Sequence, residues 1–285
     1  AGVDENNVEQ VLEDIIKAGA DIVFCVGPQM MPNSLKVAVA HPEVYILNCS
    51  LNAPHPYIRT YYGRMYEAKF LAGMIAGAVT DNERVAYIAD YPIYGMIANI
   101  NAFALGVASV NPRAKVYLAW SKTKDYDRDK FLTENDLHYV SDQDIITPND
   151  ASRYFGLYKI QGDQTLNLAM PIWNWGVFYE KLLQSVLAGS YKAEGQEQVK
   201  ALNYWWGMSA GVIDLICSKH VPYGVKRLAD HLKSDITKGE IVPFFGKIYD
   251  QKGELKNKGE HEMKPSDIMK MDWLVDNIVG NIPPM

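Results

Sequence analysis

The chain has 285 residues, 48% of them hydrophobic and 22% charged, with a formal net charge of −6. That composition is ample for one large or two coupled lobes and excludes a disordered chain. The acidic balance, with no Lys/Arg cluster, excludes a nucleic-acid surface, and no apolar run is long enough to span a membrane.

Apolar residues at 8, 11, 12, 15 and 16, closed by Gly19, predict the first helix. The nearly continuous apolar run Asp21-Ile-Val-Phe-Cys-Val-Gly then reads as a buried strand. A second helix is expected over Ser34–His41, stopped by Pro42, with strands at Val44–Cys49 and Tyr57–Tyr62 following. Met65, Phe70, Leu71, Met74, Ile75 and Val79 recur at helical spacing. Ala68, Ala72, Gly73, Ala76, Gly77 and Ala78 make that helix thin on one side, so a close neighbour is expected there. Strands at Val85–Ala89 and Lys115–Ala119 bracket a helix over Ile97–Val107. Beyond it, Tyr139-Val-Ser and Phe155–Ile160 are strand candidates, and Phe178–Leu187 is a helix ended by Gly189. Val225–Ile236 repeats the amphipathic period, and Asp250-Gln-Lys-Gly signals a tight turn. This alternation predicts an α/β fold of parallel sheets with right-handed crossovers. Two lobes are expected around a cleft: residues 1–82 with about 190–285, and residues 83–189.

Catalytic motifs are missing. No Gly-x-Ser-x-Gly elbow, Walker loop or Gly-x-Gly-x-x-Gly occurs, so no enzyme activity and no cofactor are expected. Six histidines are scattered, and Cys25, Cys49 and Cys217 are too far apart for a zinc cluster or a disulfide framework. Asp142, Asp144 and Asp150 come nearest to a metal cluster but read better as a turn or helix cap. No metal is expected. Lys122 and Lys124 run together with Asp125, Asp127 and Asp129 as a solvated loop. Arg64 is expected to pair with Glu67 one turn on, while Asn99 and Asn101 are further polar candidates. The six tryptophans say more, because five lie beside an expected strand or turn boundary. There the indole N–H needs a partner, and aromatic faces can hold a planar ligand while carboxylates and amides fix its polar edge. Packing between lobes is the competing role for any single tryptophan.

The segments Tyr61-Tyr-Gly-Arg-Met-Tyr-Glu-Ala-Lys-Phe-Leu-Ala-Gly-Met-Ile-Ala-Gly, Asn99-Ile-Asn-Ala-Phe-Ala-Leu-Gly and Ala169-Met-Pro-Ile-Trp-Asn-Trp-Gly carry a resemblance. With Trp205-Trp-Gly-Met-Ser-Ala-Gly-Val and Met271-Asp-Trp, they make the chain resemble the basic membrane protein family. These are substrate-binding lipoproteins of ABC importers, many of them nucleoside-binding, and the resemblance covers nearly the whole chain. It is nearest to a subgroup in which this domain follows a ParB-like N-terminal region. The resemblance implies a type I periplasmic-binding-protein fold whose opening strand, helix and strand are not in this chain, so upstream residues would complete lobe I. It implies a small-molecule ligand, a purine nucleoside or similar planar molecule, and an ABC permease as partner. Its binding positions fall on Asn48, Asp90, Tyr91, Tyr94, Gln143, Asp144, Trp173 and Trp175, and the reading of the tryptophans adds Trp120. Relatives tend to carry Asp where this chain has Asn48-Cys49-Ser50, and their ribose-binding Gly-x-Asp-x-Asp is replaced by Gly156-Leu-Tyr-Lys. A ribose thereby loses charge-assisted hydrogen bonds of roughly 1.5–3 kcal/mol each. The family's usual place is the plasma membrane. No signal sequence or lipidation cysteine is recognisable here, which makes a cytoplasmic sensor within a larger protein the alternative, and a nucleoside-processing enzyme a remoter one.

Overall fold

The first helix is α1 (Val8–Lys17), followed by β1 (Ile22–Cys25), α2 (Met31–Ala40), β2 (Tyr45–Cys49) and β3 (Ile58–Gly63). Next come α3 (Met65–Val79), β4 (Arg84–Ala89), α4 (Met96–Val110), β5 (Lys115–Trp120), α5 (Arg128–Glu134) and β6 (Tyr139–Ser141). Strands β7 (Leu157–Gln161) and β8 (Gln164–Trp173), helix α6 (Trp175–Leu187), and strands β9 (Tyr204–Trp206) and β10 (Ile213–Cys217) follow. The chain ends with α7 (Tyr223–Lys238), the hairpin β11 (Lys247–Tyr249) and β12 (Leu255–Lys258), α8 (Pro265–Met269) and β13 (Ile278–Val279). This computed structural model describes residues 2–51, 55–92, 95–144, 152–191 and 204–284.

The described residues form two compact units, 1–63 with 175–206, and 64–174 with 207–285. In the first, β1-β2-β3-β9 make a four-stranded sheet, parallel throughout. Val8 and Leu12, one turn apart on α1, join Val23, Val37, Ile46 and Ile58 in its core. On the other side Tyr61 stacks on Phe178 of α6 at 4.5 Å, and Phe24 meets Tyr179 at 4.6 Å. All three cysteines are free thiols. Burial pushes the Cys49 thiol up to about 11, so it stays protonated and inert.

His41, just past α2, lies 3.0 Å from Glu13 and 3.3 Å from Glu43. The hydrogen bond to Glu13 first, then the Glu43 contact, raises its pKa above the ordinary 6.5 against some desolvation. A raised folded-state pKa contributes stability that is fully present below the unfolded value and is lost as pH rises through the folded one. His41→Gln is therefore expected to lower the urea midpoint near pH 5.5 and to leave it unchanged near about pH 8.5.

The second unit holds a seven-stranded sheet in the order β10-β8-β7-β6-β4-β5-β13. Here the expectation of a parallel sheet is only partly met. Strands β6-β4-β5-β13 are parallel, whereas β7, β8 and β10 run antiparallel. The reason lies in the loop, since only Gly162-Asp163 joins β7 to β8 and two residues can close only a hairpin. Gly162 takes φ +58°, the sign such a turn demands.

Helix α3 groups with this second unit, whereas the expected boundary near 82 put it in the first lobe. Its small-residue face explains the grouping. Every residue from Met65 to Gly77 is buried, and α4 lies against it so closely that Gly73 faces the Phe103 carbonyl and Gly106 the Phe70 carbonyl with no room for a side chain. The close neighbour expected from the sequence is α4. Asn101, fully buried on α4, is not a free polar group. Its Nδ2 donates to the Trp273 carbonyl at 2.8 Å and its Oδ1 accepts from the Val275 N–H at 3.0 Å, tying the C-terminal return to the helix.

Candidate functional site

Two constellations lie at the carboxyl ends of parallel strands of the second unit, where open α/β sheets bind ligands. The first is built by β4 and β5. Beyond β4, Asp90 Oδ1 accepts from the Ser121 hydroxyl at 2.5 Å, which ties it to the residue following β5. Trp120 closes β5 and is buried, its Nε1 donating to the Asn281 carbonyl at 2.8 Å. Asp90, Tyr91, Pro92, Trp120, Lys122 and Thr123, with Pro283 and Pro284, line a pocket of about 300 Å³. Tyr91 is 53% exposed. This wall is apolar and aromatic with one carboxylate and one ammonium, the make-up of a small-molecule site.

The second constellation surrounds β6. Lys69 comes from α3 and is only 1% exposed, yet its ammonium reaches Asp144 Oδ1 at 2.6 Å and the Ser141 hydroxyl at 3.3 Å. It also lies 5.0 Å from the Tyr87 ring. Burial pulls the Lys69 pKa down, but the Asp144 carboxylate and Tyr87 outweigh it, so the amine stays charged. Burial pushes Tyr87 up to about 12, against the pull of Lys69. Next to this pair, Asp142 Oδ2 accepts from the Tyr158 hydroxyl at 2.9 Å, and Arg128 donates to that same hydroxyl at 2.9 Å. Burial raises the Asp142 carboxyl, opposed by the Gln143 N–H, Tyr158 and Arg128. The Asp142 N–H donates to the Gly156 carbonyl at 2.8 Å and the Gly156 N–H to the Gln143 carbonyl at 2.6 Å, which continues the β6–β7 pairing past Ser141.

Of the positions expected to bind, Asp90, Tyr91 and Trp120 share the first pocket, while Gln143 and Asp144 share the turn after β6. Gln143 is exposed. Asn48, at the end of β2 in the other unit, is fully buried and spends its Nδ2 on the Gly27 carbonyl at 3.0 Å. Its Oδ1 has no partner among the described residues. Trp173 ends β8, half-buried and in register with Ile213. Trp175 belongs to the first unit, edge-on to Tyr61 at 5.7 Å. Tyr94 lies outside the described residues. Arg64 pairs with Glu67 at 3.1 Å as expected, and Glu67 also accepts the Met208 N–H at 2.7 Å. Asp142 and Asp144 are engaged by separate partners, Asp150 is outside the described residues, and the described residues contain no acid, His or Cys group able to hold a metal. Lys69 and the Pro283-Pro284 wall escaped sequence reasoning. A lone lysine inside the apolar run Ala68-Lys-Phe-Leu was the available signal.

A family profile described as ABC transporter substrate-binding protein, PnrA-like, matches residues 2–165. A purine-binding protein of Brucella abortus is 26% identical over 292 residues, covering 97% of this chain and 81% of that protein. A putative ABC transporter glucose-binding protein of Haloferax volcanii is 28% identical over 217 residues, which is 72% of this chain and 54% of that one. Two solved structures share the fold. A solute-binding protein of an ABC transporter system from Conexibacter woesei superposes with a TM-score of 0.59 at 16% identity, over 84% of each chain. A transcriptional activator of the comK gene from Bacillus halodurans gives 0.64 at 14%, over 85% of this chain and 87% of the other. The architecture is thus the periplasmic-binding-protein type seen in ABC solute-binding proteins. Such proteins take a small-molecule ligand, work with a transporter permease and are typically extracellular or membrane-associated. No helix among the described residues is long and apolar enough to cross a membrane. On the family match over more than half its length, the chain belongs to the Bmp family of PnrA-like ABC-transporter substrate-binding proteins.

Proposed function

We propose that this chain captures a purine, or a similar small planar base, for an ABC importer and does so without catalysis. The pocket at the ends of β4 and β5 carries this reading, because it sets Tyr91 and Trp120 beside the Asp90 carboxylate. Its volume of about 300 Å³ is at the small end for ligand sites and fits a base better than a bulky cofactor. The purine-binding relative from Brucella abortus supports the same class. Gln143, Asp144 and Trp173, expected positions in the same unit as this pocket, belong to the proposal as further ligand contacts.

Titration calorimetry with adenine, hypoxanthine and adenosine tests it. Binding of at least one is expected, with no product formed on prolonged incubation with adenosine. Tyr91→Ala should weaken that binding by roughly tenfold or more, since base–aromatic stacking contributes about 1–3 kcal/mol. The relative described as glucose-binding supports a sugar as the second reading, because aromatic faces also hold sugar rings. Heat from glucose with none from any purine would replace the first reading by the second.

A further inference from the structure

The stretch that follows β13 is held more firmly than a short, partly exposed segment requires. Gln251, in the turn of the β11–β12 hairpin, donates its Nε2 to the carbonyls of Ile278 and Gly280, each at 2.9 Å. Trp120 Nε1, at the end of β5, takes the next carbonyl, that of Asn281, at 2.8 Å. Gly280 has φ +142°, and a Cβ there would lie 3.0 Å from the side chain and carbonyl oxygen of Leu118, so the backbone is pressed against β5. Ile282 and Pro283 each precede a proline, which biases both to extended backbone.

The result is a stiff strip with two faces, all of it in the second unit. Pro283 and Pro284 close the pocket that holds Asp90, Tyr91 and Trp120. Asn281 and Ile282 line a second cavity of about 370 Å³, beside Gln251 and Trp273. The strip is therefore a partition one chain thick, with room behind it. A proline wall selects by what it lacks. Neither residue has an N–H to offer, so a hydroxyl pressed against it loses its water and gains no donor. A flat base presents ring faces and edges, whereas a nucleoside adds ribose hydroxyls to a pocket already at the small end for ligand sites.

We infer that the Asn281–Pro284 strip sets the selectivity of this pocket, admitting a free base and turning away its nucleoside, and that Gln251 is the positioning residue that keeps the strip in place. The inference rests on the purine reading above and adds the wall that discriminates within that class. A loosened strip can retreat toward the cavity behind it, which makes space and lets water reach the ribose.

Calorimetry with adenine and adenosine, paired with amide hydrogen exchange at residues 280–282, tests both parts. The parent should bind adenine roughly tenfold or more tightly than adenosine. Gln251→Ala, at an exposed position outside the pocket, should speed exchange at Asn281 and Ile282 and narrow that ratio. Pro283→Gly/Pro284→Gly removes both rings and the stiffness together, and should bring the two affinities within about twofold of each other. A parent that binds adenosine as tightly as adenine, or a ratio unmoved in the double glycine variant, would overturn the role of the wall. Unchanged exchange in Gln251→Ala would overturn that of Gln251. A parent that binds neither compound defeats the purine reading itself and the selectivity with it, an outcome distinct from binding without discrimination.

Discussion

Gly73→Ala and Gly106→Ala are each expected to destabilise the protein by about 3 kcal/mol, at the upper end for overpacking a core. At both positions the added methyl would overlap a backbone carbonyl oxygen of the facing helix, Phe103 for Gly73 and Phe70 for Gly106. A flexible side chain could swing aside, but a carbonyl cannot move without shifting its helix. Because α3 is buried from Met65 to Gly77, no free surface exists for it to retreat into. Gly224→Ala, on α7 with nothing within 4 Å of the new methyl, is the control. It should be neutral or gain up to about 1 kcal/mol from helix propensity. Urea unfolding of the three variants measures the contrast. Equal midpoints for Gly73→Ala and Gly224→Ala would show that α3 and α4 do not pack as closely as described.

The spacing of small residues makes this packing legible in the sequence itself, because a helix that is apolar and narrow on one side has few other uses. Strands β1, β2, β4 and β5 are legible for a similar reason, each being a short, mainly apolar run, and β4 is buried on both faces. The hairpin β7–β8 is not. Gly162-Asp163 is a usable turn signal, but β8 alternates poorly, since Ala169 and Met170 are buried consecutively beside β10. Near the site, Asp90, Tyr91 and Trp120 can be read from the rule that α/β ligands gather at strand ends. Lys69 cannot, because its meaning depends on Asp144, a partner 75 residues away that only the crossover from α3 to β6 brings within 2.6 Å. Sequence periodicity reports which face of a helix is buried. It carries no information on which distant carboxylate neutralises a charge placed there.

Asn101 shows the converse error, a polar residue that invited a ligand role and received a structural one. Replacing it by leucine is expected to cost about 2–4 kcal/mol, because the Trp273 carbonyl and the Val275 N–H then lose their buried partner together. Nearby, Asn277 donates its Nδ2 to the Ala104 carbonyl at 2.8 Å, so the C-terminal return keeps a second anchor and the loss stays short of unfolding. Asn101→Asp separates the two bonds by charge. The aspartate can still accept from Val275, but when ionised it places a buried negative charge against the Trp273 carbonyl. Burial of that kind raises a carboxyl pKa. With the folded-state pKa above the unfolded one, the ionised form is penalised in the native state, so the variant is most stable at low pH and loses stability as pH rises through its own folded-state pKa. Thermal unfolding from about pH 4.5 to about pH 8 should show a gap between Asn101→Asp and the parent that widens with pH, while the gap for Asn101→Leu stays constant. Equal, pH-independent losses for both would mean that the Asn101 side chain is hydrated, and that packing of α8 and the loop after it, not these two hydrogen bonds, holds the C-terminal return on α4.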